Sequence, residues 1–133
     1  MKHLQITIGD QVFRAKLMTE TAPEFVKVFE SYLPLEGLAN HAKICDNEFF
    51  IPLPLFRDEK ENPVFPEAGD IGYFPVRQTV CFWYDVTNPL GPTTVIAKVY
   101  PEELERLARH CANAWEKQGA YIKYEIAGDD QND

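Results

Sequence analysis

The sequence contains no CxxC pair, GxSxG elbow, HExxH segment or glycine-rich phosphate loop, so no familiar catalytic motif assigns it a reaction. Cysteine is sparse. Cys45, Cys81 and Cys111 are odd in number and far apart, which argues against a disulfide framework or a zinc site and for buried, reduced thiols. His3, His41 and His110 show no ligand spacing to one another or to the cysteines, so neither a bound metal nor a cofactor is expected. Positive charge is also in deficit: 13 Lys and Arg stand against 21 Asp and Glu, a formal charge of -8 that repels nucleic acid and acidic membrane surfaces. No apolar run approaches the length of a membrane span. The N-terminal residues begin directly in an alternating pattern without a signal-type apolar stretch, so a cytoplasmic location is expected.

What is present suffices for one hydrophobic core. The 133 residues are 45% hydrophobic, which predicts a single domain over residues 1–127 followed by an acidic, disordered tail over 128–133. Leu4, Ile6 and Ile8 alternate with polar residues, Gly9-Asp10 turns the chain, and Val12 to Leu17 alternates again, the pattern of an opening hairpin. Thr21 and Glu24 form a potential capping box around Pro23, so a helix is expected from Ala22 to Leu33, with Pro34 stopping it. Ala39 to Cys45 and Glu48 to Leu53 read as short strands, the second limited to an edge or an early exit by Pro52 and Pro54. After a long excursion from Phe56 to Gly69, Ile71 to Phe74 and Thr79 to Val86 are strands. The latter is apolar on both faces and therefore central. Thr93 to Val99 follows, then a helix from Pro101 to Lys117 with Leu104, Leu107, Ala108, Cys111 and Trp115 as its buried stripe, and a last strand from Ala120 to Ile126.

The run Leu17-Met18-Thr19-Glu20-Thr21-Ala22-Pro23, followed by Phe29 and Leu33, resembles the passage of cyclophilins from their first hairpin into their first helix. Gly69-Asp70-Ile71-Gly72-Tyr73-Phe74-Pro75 leading into Thr79-Val80-Cys81-Phe82-Trp83-Tyr84 is similar to uncharacterised prokaryotic cyclophilin-like proteins. The resemblance spans roughly residues 4–126 and implies a mostly β, closed antiparallel β-barrel with two α-helices. It does not carry prolyl-isomerase activity with it. Where that family has Phe-His-Arg, His41 is followed by Ala42. Where it has an aromatic residue and Gln-Gly-Gly-Asp, Phe49-Phe50-Ile51 is followed by Pro52-Leu53-Pro54. The catalytic arginine and glutamine are unmatched, and Arg57 and Arg77 lie outside the motif.

Six residues are candidates for a ligand site: His41, Tyr73, Phe74, Arg77, Phe82 and Tyr84. Arg77 follows Phe74 closely, and a guanidinium among aromatic rings can clamp a carboxylate through two parallel hydrogen bonds; an ordinary loop arginine is the alternative. His41 has the chemistry of a general base or ligand, against a hydrogen-bonded structural role. Tyr73, Phe74, Phe82 and Tyr84 either line the pocket or serve as core or dimer contacts. Glu48 and Asp85 have acid–base chemistry, but the sequence does not show them close together.

Three functions compete: a module binding a small organic acid or peptide in an aromatic-lined pocket, a divergent prolyl isomerase or small-amide enzyme, and a homo-oligomeric assembly protein. For the last, the nearly uncharged stretch Phe49 to Phe56 is the expected interface of a homodimer or larger oligomer.

Overall fold

Alternation of inward apolar and outward polar residues builds the strands of this chain. The structure, a computed structural model, describes residues 2–57, 59–75, 77–116 and 118–128. Among the described residues nine strands form one antiparallel sheet: β1 (Lys2–Ile8), β2 (Gln11–Leu17), β3 (Leu35–Leu38), β4 (Asn40–His41), β5 (Asp46–Pro52), β6 (Asp70–Phe74), β7 (Thr79–Thr87), β8 (Thr94–Val99) and β9 (Tyr121–Gly128). Their spatial order is β3-β9-β1-β2-β8-β6-β7-β5-β4. The sheet curls into a nearly closed barrel because its two edges are consecutive in the chain. β3 pairs with β9 and β4 with β5, while Ala39 between them donates to the Ala120 carbonyl at 2.8 Å. At Gly37 an added Cβ would stand 3.3 Å from Ile51 Cγ2, so the absence of a side chain lets this closing segment lie against β5.

The interior is filled from every side. Leu4 and Ile6 of β1, Phe13 of β2, Ile51 of β5, Ile71 of β6, Phe82 of β7, Ile96 of β8 and Tyr124 of β9 are fully buried. Helix α1 (Pro23–Glu30) covers one opening with Phe25, Val26 and Phe29. Helix α2 (Leu104–His110), preceded by a 3-10 turn at Pro101–Glu103, packs Leu107 beneath the other elements.

Several expected features take different forms. The Thr21–Glu24 capping box does not form. Ala22 is the N-cap, and the first amides of α1 donate instead to the carboxylate of the distant Glu61, Phe25 N at 2.9 Å and Glu24 N at 3.2 Å. A long-range carboxylate thus does the work assigned to a local one. The helix ends at Glu30, short of Leu33, and Leu35–Leu38 joins the sheet. The strand expected over Ala39 to Cys45 is reduced to Asn40–His41 and a 3-10 turn at Lys43–Cys45.

The second helix is also shorter than its apolar stripe predicted. Beyond Cys111 the bonded amides reach three residues back, Ala112 to Arg109, Ala114 to Cys111 and Glu116 to Asn113, so the helix loosens into turns. Trp115 leaves the stripe and donates its indole N–H to Asn47 at 2.9 Å. Lys117, and the expected tail apart from Gly128, lie outside the described residues.

In the stretch expected to be an interface, Phe49, Ile51 and Leu53 point into the barrel, while Phe56 is 60% exposed. Among the described residues no helix is long and apolar enough to cross a membrane.

Candidate functional site

β7 is apolar on both faces, and each face meets a different environment. Val80, Phe82 and Tyr84 enter the core, whereas Thr79, Cys81 and Trp83 alternate onto the barrel exterior. Antiparallel register places Glu48 opposite Trp83 and Phe50 opposite Cys81 on one side, and Gly72 opposite Cys81 and Phe74 opposite Thr79 on the other. Three strands therefore contribute one outward row of side chains. That row is roofed by residues 87–93, which are held near both ends. Thr87 Oγ1 and Asn88 N both donate to the Cys45 carbonyl, at 2.7 and 3.0 Å, and Thr93 exchanges two backbone hydrogen bonds with Val64.

Between row and roof lies a cavity of about 280 Å3, lined by Phe50, Phe74, Trp83, Pro89, Leu90 and Pro92 among others. Its polar groups are few. Glu48 is 5% exposed, and its carboxylate stands near the thiols of Cys45 and Cys81, whose pKa values it helps to raise. At the rim, the Arg77 guanidinium and the Lys60 ammonium lie 5.6 and 5.9 Å from the centre of the Phe74 ring. Lys60 also donates to the Pro92 carbonyl at 2.7 Å. No carboxylate among the described residues pairs with Arg77. The Trp83 indole N–H is buried without a hydrogen-bond partner among the described residues, an uncompensated donor of the sort that ligands or ordered water satisfy. Gly72 is what admits the indole: a Cβ there would meet Trp83 Cζ3 at 2.9 Å.

The cavity's thiols are poor nucleophiles. Burial first, and then the neighbouring Glu48 carboxylate, pushes Cys45 up to about 11 and Cys81 well above the ordinary thiol value. Among the described residues no group of three His, Cys, Asp or Glu side chains is placed to hold a metal ion.

A second, smaller cavity of about 180 Å3 is lined by His41, Phe49, His110 and Cys111, among others. Here the Tyr84 hydroxyl oxygen lies 2.7 Å from His41 Nε2 and 3.4 Å from Asn47 Oδ1. His41 Nδ1 is buried and unpartnered among the described residues. Burial, reinforced by the charge of Lys43, lowers the His41 pKa from its ordinary 6.5.

The unfolded chain accordingly takes up a proton that the folded chain resists. Stability from this group is complete above 6.5 and declines as pH falls through that value toward the lowered native pKa. Denaturant midpoints measured at about pH 7.5 and about pH 5.5 should show the decline, and His41→Gln should reduce it.

The six residues chosen from sequence are thus distributed over three places. Phe74 and Arg77 share the outer-face cavity. His41 borders the second cavity, hydrogen-bonded to the buried Tyr84. Phe82 and Tyr73 are in the core, where Tyr73 donates its hydroxyl to the Leu55 carbonyl and packs on Phe25 with ring centres 5.5 Å apart. From sequence Glu48 stands out only as a possible acid or base, and nothing connects Lys60 or Trp83 to a site. A carboxylate in the apolar run Glu48 to Leu53, read with the two-faced β7, was the available signal.

The architecture defines a small antiparallel barrel carrying a roofed, aromatic-lined cavity on its outer face. By sequence, the chain belongs to the DUF3830 family, "Protein of unknown function (DUF3830)", which it matches over residues 4–124. A search of the curated proteins gives no match.

Among solved structures, the chain is similar to McbB, determined in complex with tryptophan, at 21% identity and a TM-score of 0.70. That alignment covers 98% of this chain and 46% of the McbB chain, so the protein spans less than half of McbB. It is also similar to the hypothetical protein AF2241 from Archaeoglobus fulgidus, solved in solution, at 19% identity and a TM-score of 0.65, with 94% of each chain covered. At these identities the likeness is one of fold.

Proposed function

We propose that this protein is a cyclophilin-like binding module that takes up a small organic acid in its outer-face cavity. The observation carrying this reading is Arg77, a cation at the rim of an apolar pocket with no carboxylate partner among the described residues, in a chain whose overall charge is -8. Its planar fork matches a carboxylate, while Phe50, Phe74 and Trp83 offer ring faces to an apolar body. Tryptophan, held by McbB, is an acid of this aromatic kind. The volume suits a small molecule better than a folded partner.

A thermal-shift panel of carboxylates and matched amides tests the reading. Aromatic monocarboxylates such as 3-phenylpropionate should raise the melting temperature and their amides should not, because only a ligand bound to the native state stabilises it. Arg77→Ala should remove most of the response, at a cost of about ten-fold or more in affinity, with little change in the unliganded protein. Equal responses to acids and amides, or a response unchanged by Arg77→Ala, would reject it.

A second reading, self-association, is favoured by the exposed Phe56 and Phe65 in the loop between β5 and β6. Light scattering should then give a mass above that of one chain at micromolar concentration, and Phe56→Glu should lower it by placing an unpaired charge in an apolar contact. A monomeric mass for the unaltered chain would remove this reading.

A further inference from the structure

Glu48 narrows the class of acid, provided the cavity binds acids as set out above. Its side chain is almost completely enclosed, and its nearest titratable neighbours are the thiols of Cys45 and Cys81, which are at best weak donors. No lysine, arginine or histidine pairs with it among the described residues. A buried carboxylate without a strong donor is costly, and the cost falls when a cation or a multiple donor arrives.

The cavity therefore has two poles. One is an anionic floor where β5 meets β7; the other is a cationic rim made by Lys60 and Arg77 around Phe74. Aromatic and aliphatic surface lines the same space, Trp83 among it, whose buried indole N–H lacks an acceptor among the described residues.

We infer that the ligand is a zwitterion, a free α-amino acid with an aromatic or large apolar side chain, its ammonium group on Glu48 and its carboxylate toward Arg77. An ammonium group brings three donors to the buried carboxylate and forms charge-assisted hydrogen bonds with it. The ligand's carboxylate supplies acceptors for the guanidinium and for the Trp83 indole. The side chain lies against Phe50, Phe74 and Leu90. An acid lacking the amine satisfies the rim and leaves the floor unmet; an amine lacking the acid does the reverse.

Calorimetric titration of the full chain with L-phenylalanine, 3-phenylpropionate and 2-phenylethylamine separates these cases. L-Phenylalanine should bind at least about ten-fold tighter than either truncated probe, the scale of one charge-assisted pair. Glu48→Gln should remove the preference, so that L-phenylalanine binds no tighter than 3-phenylpropionate does to the same variant. If 3-phenylpropionate binds the unaltered protein as tightly as L-phenylalanine does, the zwitterion inference fails and acid binding stands. If none of the three binds, both fail. The comparison among probes on the unaltered chain decides the matter even where Glu48→Gln does not fold.

Discussion

Phe82→Ala is expected to cost about 3–5 kcal/mol of folding stability, a large share of what a domain of this size possesses. Phe82 has no exposed surface and sits midway along β7, opposite Phe49 on β5 and Ile71 on β6. Its ring meets Phe49 edge-on with centres 5.3 Å apart and approaches Tyr124 from β9 at 6.5 Å, so it joins opposite walls of the barrel. Removing it loses the transfer free energy of a phenyl group and leaves a void that strands paired on both sides cannot collapse to fill. Denaturant titration should show a lower midpoint with an unchanged slope.

Gly72→Val should cost about 1–3 kcal/mol and abolish ligand binding in the outer-face cavity. The new Cβ would meet Trp83 Cζ3 at 2.9 Å, Thr93 Cγ2 at 3.1 Å and the Thr94 backbone oxygen at 3.1 Å. Backbone cannot yield as a flexible side-chain tip can, so the indole must move and the cavity loses a wall. Gly91, in the roof of the same cavity, has nothing within 4 Å of an added Cβ, so Gly91→Ala serves as the control with stability within about 0.5 kcal/mol of the parent. Thermal unfolding and ligand titration of the two variants give the comparison.

Local periodicity made much of the barrel legible. The β1–β2 hairpin, β7, β8 and β9 follow from alternation and β-branched content. The closing segment was not legible, because Leu35 to His41 changes partner halfway, and pairing between distant strands leaves no local signature. The α1 cap was hidden for the same reason: Glu61 reaches it from a loop 36 residues beyond Phe25.

The site was half legible. Phe74 and Arg77 were chosen for their chemistry and do share a cavity. Yet neighbours on a strand point to opposite faces, so Tyr73 and Phe74 cannot line the same side, nor can Phe82 and Trp83. Taking Trp83 with Cys81, and Glu48 across from it, required the register between β5 and β7. The roof was legible only as turns, Asn88-Pro89 and Gly91-Pro92, with nothing in those residues to say which face they cover.

The central claim is that the outer-face cavity holds a small acid, and the two tryptophans of the chain allow it to be tested in one titration. Trp83 lines that cavity, while Trp115 is bonded to Asn47 beside His41. In a nitrogen–proton correlation spectrum, with the indole signals assigned through Trp115→Phe, addition of 3-phenylpropionate should shift the Trp83 signal saturably and leave the Trp115 signal in place. A Trp83 signal that stays fixed at saturating ligand, or movement confined to Trp115, would contradict the account.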